Sequence, residues 1–203
     1  MVNDPLIISL VVASYLIGAI PFGLLVAKTM GGVDIRTIGS GNIGATNVLR
    51  AVGKKAGATA LLLDIGKGAV PVIIAKTLYG TENIITLYCA LAAFFGHLYP
   101  IYLGFKGGKG VATALGIVAA WVPIAGAITL FIWIAMAKTF KYSSLAALTA
   151  FATLPFMLFF LEEPTPMSAS YVLTILIYWR HRANIQRLIA GIEPCIGQKS
   201  ESS

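Results

Sequence analysis

Val111-Ala112-Thr113-Ala114-Leu115-Gly116-Ile117-Val118-Ala119-Ala120-Trp121-Val122-Pro123 can be read as half of one long helix or as a short helix of its own, and the number of membrane crossings turns on the choice. A crossing needs about 20 apolar residues for a hydrocarbon core of about 30 Å. At 1.5 Å per residue, 111–121 makes only about 16 Å of helix. Proline disfavours helix at the residue before it, so Pro123 predicts a break at Val122 and a new helix beyond. The competing reading fuses 111–137 into one kinked crossing.

The surrounding chain is apolar throughout. Of 203 residues, 58% are hydrophobic and 11% charged, against about 25% charged in a soluble domain. Spans are predicted at 5–28, 56–79, 83–103, 111–121, 123–137, 143–161 and 167–182. No lysine or arginine precedes the apolar run that begins at Leu6, and the run is longer than a signal-peptide core. It therefore reads as an uncleaved first span with its N-terminus outside.

Charge decides between seven crossings and six. Seven crossings place Lys28, Arg36, Arg50, Lys54, Lys55, Lys106, Lys109, Lys138, Lys141, Arg180, Arg182, Arg187 and Lys199 on the inner side. That is thirteen of the fifteen basic residues, as the positive-inside rule expects. Fusing 111–137 would move Lys138 and Lys141 outside. The expected fold is thus an all-α, polytopic bundle of seven transmembrane helices with short fourth and fifth helices, N-terminus out and C-terminus in. Residues 1–190 form one transmembrane domain, and 191–203 a loose cytoplasmic tail. The net charge of +7 does not indicate nucleic acid, because the basic residues are scattered between apolar segments. Cys89 and Cys195 are too few and too far apart for a disulfide framework or a metal site.

Two glycine-rich loops fall on the inner side of this map. The first is Gly39-Ser40-Gly41-Asn42-Ile43-Gly44-Ala45-Thr46-Asn47-Val48-Leu49-Arg50, the second Phe105-Lys106-Gly107-Gly108-Lys109-Gly110. Glycine lets backbone N–H groups turn toward a ligand, and consecutive N–H groups form an anion-binding concavity. Gly41 and Gly44 free the backbone N–H groups of such a loop, Asn42, Thr46 and Asn47 add side-chain donors beside Ser40, and Arg50 adds a fork suited to phosphate. Gly107, Gly108, Lys109 and Gly110 precede a helix start, where free N–H groups and the dipole favour anions. Gly39-x-Gly41-x-x-Gly44 matches the dinucleotide fingerprint in letters only, since no strand or βαβ unit surrounds it. His181 and Asn184 share a helical face at the inner end of the last span, and a near-neutral histidine can accept a proton from a hydroxyl. Asp64 and Lys67, three residues apart, can pair within the second span. His97 reads as a packing residue, and Ser143 and Ser144 as N-caps of the sixth helix.

These residues resemble the bacterial integral-membrane acyl-phosphate:glycerol-3-phosphate acyltransferases. The resemblance rests on GSGNIGATNVLR at 39–50, GHLYPIYLGFKGGKGVATALG at 96–116 and RHRANIQRL at 180–188, and it covers nearly the whole chain. It implies transfer of a fatty acyl group from acyl phosphate to the 1-hydroxyl of glycerol-3-phosphate, giving lysophosphatidic acid and phosphate, the first step of membrane phospholipid synthesis. It also implies a seven-helix bundle in the bacterial inner membrane with a cytoplasmic active site. Ser40 and Arg50 match the family's first motif, Lys109 and its glycines the phosphate loop of the second, and His181 and Asn184 the pair of the third. These catalytic and substrate-binding roles need no cofactor and no metal. The partners implied are the two substrates, membrane lipid and the enzyme that makes acyl phosphate. The family commonly has glutamate, linked to structural integrity, where this chain has Ala183; either that role is absent here or a partner elsewhere replaces it.

Acyl phosphate is already activated, so direct attack by the acceptor hydroxyl is expected, with either His181 or a substrate phosphate oxygen as base. A transporter or channel for an anionic phosphorylated solute is the competing class, but its inverted repeat is not visible. A metal-dependent phosphotransferase would need a carboxylate cluster that the loops lack.

Overall fold

The computed structural model describes residues 4–198, and Lys199, expected on the inner side, lies outside them. The described residues form helices, turns and irregular segments with no strand among them. Helix α1 (Pro5–Ala19) starts on Asp4, whose carboxylate accepts from Leu6 N at 2.9 Å. It stops at Ile20 because Pro21 cannot continue the ladder, and α2 (Phe22–Gly31) resumes at once and ends on Gly32 in the left-handed region. The single first span predicted at 5–28 is therefore two helices in line; Pro21 was the sequence signal.

A short 3₁₀ turn (Ile35–Thr37) and α3 (Ala45–Ala51) fold the first glycine-rich segment. Then follow α4 (Lys54–Tyr79), α5 (Ile84–Leu98), a 3₁₀ turn (Ile101–Leu103), α6 (Val111–Trp121) and α7 (Pro123–Phe140). The chain ends with α8 (Ser143–Phe160), α9 (Pro164–Arg180) and α10 (Arg182–Ile189). The break at Val122 falls where Pro123 puts it, and α7 runs three residues past the predicted 137. Among the described residues, five helical segments are long and apolar enough to cross a membrane: 5–31, 54–79, 84–103, 123–140 and 143–160.

The short α6 is tolerated because it is wrapped in protein. Thr113, Ala114, Gly116, Ile117, Val118 and Trp121 are all buried. Its last carbonyls would be orphaned in an apolar layer. Lys76 of α4 answers them, donating to Trp121 O at 2.8 Å and Ala120 O at 3.4 Å, while Trp121 Nε1 donates to Thr81 O. Glycine makes the tightest contact possible. A Cβ at Gly68 would overlap the Thr113 carbonyl, and one at Gly116 the Ile65 carbonyl, so α4 and α6 lie backbone to backbone. The core around α6 is filled by Phe94, Leu98, Ile117, Phe151, Leu154 and Leu173.

Within the segment from Gly191, the described residues 191–198 touch the bundle. Ile196 N donates to Lys141 O at 2.7 Å, and Glu193 is buried against the bundle.

Candidate active site

The segment between α2 and α4, the loop before α6 and the α9–α10 junction meet around a cavity of about 840 Å³. Ser40, Asn42, Gly44, Thr46, Asn47 and Arg50 line it from the first loop, Lys109 and Gly110 from the second, and His181 and Asn184 from the α9–α10 junction. Gly41, Gly107 and Gly108 stand behind this lining.

The first loop is held by Asn47. Its Nδ2 donates to the carbonyls of Ile35, Ile38 and Asn42 at 3.2, 2.9 and 3.0 Å, and its Oδ1 accepts from Ser40 N at 3.3 Å. That amide is committed to the backbone, so Asn47 frames the loop rather than offering a free donor to a ligand. Asn42 makes an Asx turn, its Oδ1 accepting from Gly44 N. Gly41 sits at φ 65°, in the left-handed region. Thr46 Oγ1 lies 3.1 Å from Ser143 Oγ, and Ser144 Oγ donates to Glu193 at 2.7 Å. The two serines thus face the site; the start of α8 has no side-chain cap.

In the second loop, Gly107 N and Gly108 N donate to Leu98 O and His97 O, both at 3.2 Å. Arg180, itself part of the cavity lining, grips the loop, with Nη2 on Gly107 O at 2.6 Å and Nε on Gly108 O at 3.0 Å. With both amides and both carbonyls engaged, these glycines are the frame, and Lys109 is the group presented to the cavity. Its ammonium donates to Asn184 Oδ1. Burial, assisted by Arg187, Arg50 and Arg180 and opposed by Glu193, pulls its pKa down to about 8.

His181 lies in the break after α9. Its Nδ1 is 2.8 Å from Ile177 O, which requires the proton on Nδ1 and leaves Nε2 as an acceptor. Burial first, and then the Lys109 charge, lower its pKa to about 4. The imidazole is uncharged at neutral pH.

Two residues absent from the sequence-based site complete the arrangement. Arg180 was quoted within the third motif but not assigned to the loop it clamps. Glu193 accepts from Ser144, Asn184 (2.6 Å) and Arg187 (2.7 Å). Burial pushes its carboxyl up, but these hydrogen bonds outweigh burial and hold it below the usual value. Asn184 thus meets a carboxylate although Ala183 supplies none. Arg50 reaches the same segment, donating to Pro194 O and Cys195 O at 3.0 Å, while its buried Nε has no partner among the described residues. Only the isolation of Glu193 after a basic stretch hinted at this in the sequence. Asp34 and Arg36, a partly exposed pair at 2.6 Å, lie outside the cavity lining.

The cations exceed the carboxylate that they surround, so the site is poised for a further anion. The same cavity continues between α4, α6, α7 and α8 along Leu61, Ile65, Leu115, Leu130 and Phe151. A helical bundle with membrane-length spans and a cavity cationic at one end and apolar at the other defines an integral membrane protein with an amphiphilic cavity.

The comparisons with known proteins narrow this class. The profile of the family described as glycerol-3-phosphate acyltransferase matches residues 8–191. The chain is 50% identical to the glycerol-3-phosphate acyltransferase of Mesorhizobium japonicum, covering 93% of this chain and 95% of that one. It is 49% identical to that of Halorhodospira halophila, with the same coverage. The crystal structure of PlsY (YgiH), an integral membrane glycerol 3-phosphate acyltransferase, in its glycerol 3-phosphate form superposes with a TM-score of 0.91 at 43% identity, covering 94% of this chain and 96% of that one. Its lysophosphatidic acid form gives 0.88 at 42% identity, with 93% and 94% covered. The chain belongs to the glycerol-3-phosphate acyltransferase family.

Proposed function

We propose that this protein transfers a fatty acyl group from acyl phosphate to the 1-hydroxyl of glycerol-3-phosphate, releasing lysophosphatidic acid and phosphate. The observation that carries the reading is the single cavity that joins Arg50, Lys109, His181 and Asn184 to an apolar arm. A donor with a fatty chain and a phosphate head, and an acceptor with a phosphate, both find matching surface there. The solved relatives, in glycerol 3-phosphate and lysophosphatidic acid forms, support the acceptor and product.

In this mechanism the chain occupies the apolar arm and the acyl-phosphate head rests against Ser40, Thr46 and the backbone of 39–46. Lys109 and Arg50 hold phosphate oxygens. The acceptor hydroxyl attacks the acyl carbonyl; the new ester C–O bond forms as the bond from acyl carbon to phosphate oxygen breaks. Because phosphate leaves readily, no covalent enzyme intermediate is needed, and the gain comes from orientation and charge stabilisation. The hydroxyl proton goes to a phosphate oxygen of the substrate. A phosphate monoester has its second pKa near 6, which makes it a stronger base than His181 at about 4. His181 and Asn184 position the acceptor.

The location that accompanies this reading is the bacterial inner membrane, with seven crossings, the N-terminus outside and the site toward the cytoplasm. The acyl-phosphate-producing enzyme is the partner that fits. Purified protein assayed with acyl phosphate, acyl-CoA or acyl carrier protein as donor tests the central claim. Turnover with acyl phosphate is expected; turnover with acyl-CoA and none with acyl phosphate would overturn it.

A further inference from the structure

Beneath the second loop lies a buried polar chain with no place in the mechanism above. Lys67 Nζ is 2.7 Å from Asp64 Oδ1, with both side chains 2% exposed. Lys67 also donates to Ile20 O at 2.8 Å, at the break between α1 and α2. Asp64 Oδ1 accepts no well-directed hydrogen bond, and Asp64 and His97 both line the cavity. His97 Nδ1 is 3.9 Å from that oxygen and 3.1 Å from Thr113 Oγ1 in the first turn of α6. On the far side of the ring, Nε2 faces Gly108 so closely that a Cβ there would overlap it.

Burying an ion pair costs several kcal/mol of desolvation per ion, and an apolar pair of similar volume is often as stable. Charges within a membrane mark function by default. The Asp64 carboxylate, too far from Nδ1 for a hydrogen bond, still favours a proton on that nitrogen. Nδ1–H then donates to Thr113, and the ring is fixed between α6 and the loop. We propose that Asp64 is a positioning residue for the phosphate loop: with Lys67 as its counter-charge, it sets the tautomer and orientation of His97, which with Thr113 fixes where Gly108 and Lys109 stand. The assignment rests on the reading of this cavity as the glycerol-3-phosphate site.

The chain has two histidines, so ring-¹⁵N spectra of the purified protein in micelles resolve His97, with His181→Gln identifying the other. The wild type should show His97 protonated on Nδ1 alone. The paired variant Asp64→Leu/Lys67→Met removes both charges together and so avoids stranding either. It should unfold near the wild-type temperature, yet show a shifted His97 tautomer. Its Kd and KM for glycerol-3-phosphate should rise about tenfold, with kcat within about threefold. Thr113→Val leaves the pair intact and should raise Kd similarly; it decides the matter if the paired variant fails to fold. A wild-type Kd in Thr113→Val overturns the proposal, as does an unshifted His97 with wild-type Kd in the paired variant. If the wild type binds no glycerol-3-phosphate, the substrate reading fails, while the His97 tautomer in the paired variant still reports on Asp64.

Discussion

Asn184 donates from Nδ2 to Glu193 Oε1 at 2.6 Å, and its Oδ1 meets the Lys109 ammonium at the other end of the same amide. The amide is thereby locked in one orientation, with its oxygen toward Lys109 of the second glycine-rich loop and its nitrogen toward the returning C-terminal segment. The segment that follows α10 is in this way part of the site wall.

Glu193→Gln should loosen that wall. Arg187 is 35% exposed and its ion pair is worth little, so the loss falls on the bonds from Ser144 and Asn184. A charge-assisted hydrogen bond contributes about 1.5–3 kcal/mol, and each kcal/mol moves Tm by about 2–4 °C at this size. A Tm lowered by roughly 3–10 °C in micelles is expected. Because the folded carboxyl lies below its usual value, its contribution is present at neutral pH and is lost as pH falls through the folded pKa. The variant and the wild type should therefore converge in stability in strong acid. An unchanged Tm at pH 7 would reduce Glu193 to a passive neighbour.

Lys109 carries the clearest pH signature. With a pKa of about 8 in the free protein, the cation is lost as pH rises through 8, and apparent KM for glycerol-3-phosphate should climb there. Lys109→Ala should raise KM roughly 10- to 150-fold, the worth of one charged hydrogen bond, and abolish that dependence. Folding stability carries the opposite sign. A lysine whose folded pKa lies below its unfolded value of about 10.4 binds fewer protons when folded between pH 8 and 10, so the penalty on the charged form eases as pH rises. Steady-state kinetics across pH 6–9 separate the two effects.

Much of the backbone was legible because proline and glycine act locally. Pro123 announced the break before α7, and the glycines at 39, 41 and 44 announced the first loop. Pro21 acts in the same way, yet the apolar run around it masked it. The site was half legible. Ser40, Thr46, Arg50, Lys109, His181 and Asn184 do line one cavity, but donor chemistry cannot tell a ligand-facing amide from one that holds the backbone. Asn47 is of the second kind. Arg180 was missed because its partners Gly107 and Gly108 are about 70 residues away in the chain, and Glu193 because its contact with Ser144 spans about 50, although Asn184 and Arg187 are sequence neighbours. No spacing rule reaches across those distances.

Arg50→Lys should be damaging although charge is kept. The guanidinium spends one nitrogen on Pro194 O and Cys195 O and retains other donors for the cavity. An ammonium cannot serve both from one point. A rise in KM of about tenfold or more with the protein still folded is expected. Wild-type kinetics would show that Arg50 only anchors the tail.

His181→Gln separates positioning from base catalysis. A lost general base typically costs about 10²–10⁴-fold in rate. The ring here is held by Ile177 O and has its pKa lowered to about 4, so it is a poor proton acceptor near neutrality. Loss of kcat below about tenfold is expected, with KM raised. The acid limb of the pH–rate profile should stay near 6, where the substrate phosphate ionises. A histidine base at about 4 would instead place the limb two units lower and lose it on substitution. A fall in kcat above about a thousandfold, with glycerol-3-phosphate still bound and the acid limb flattened, would make His181 the base and return the substrate phosphate to a spectator.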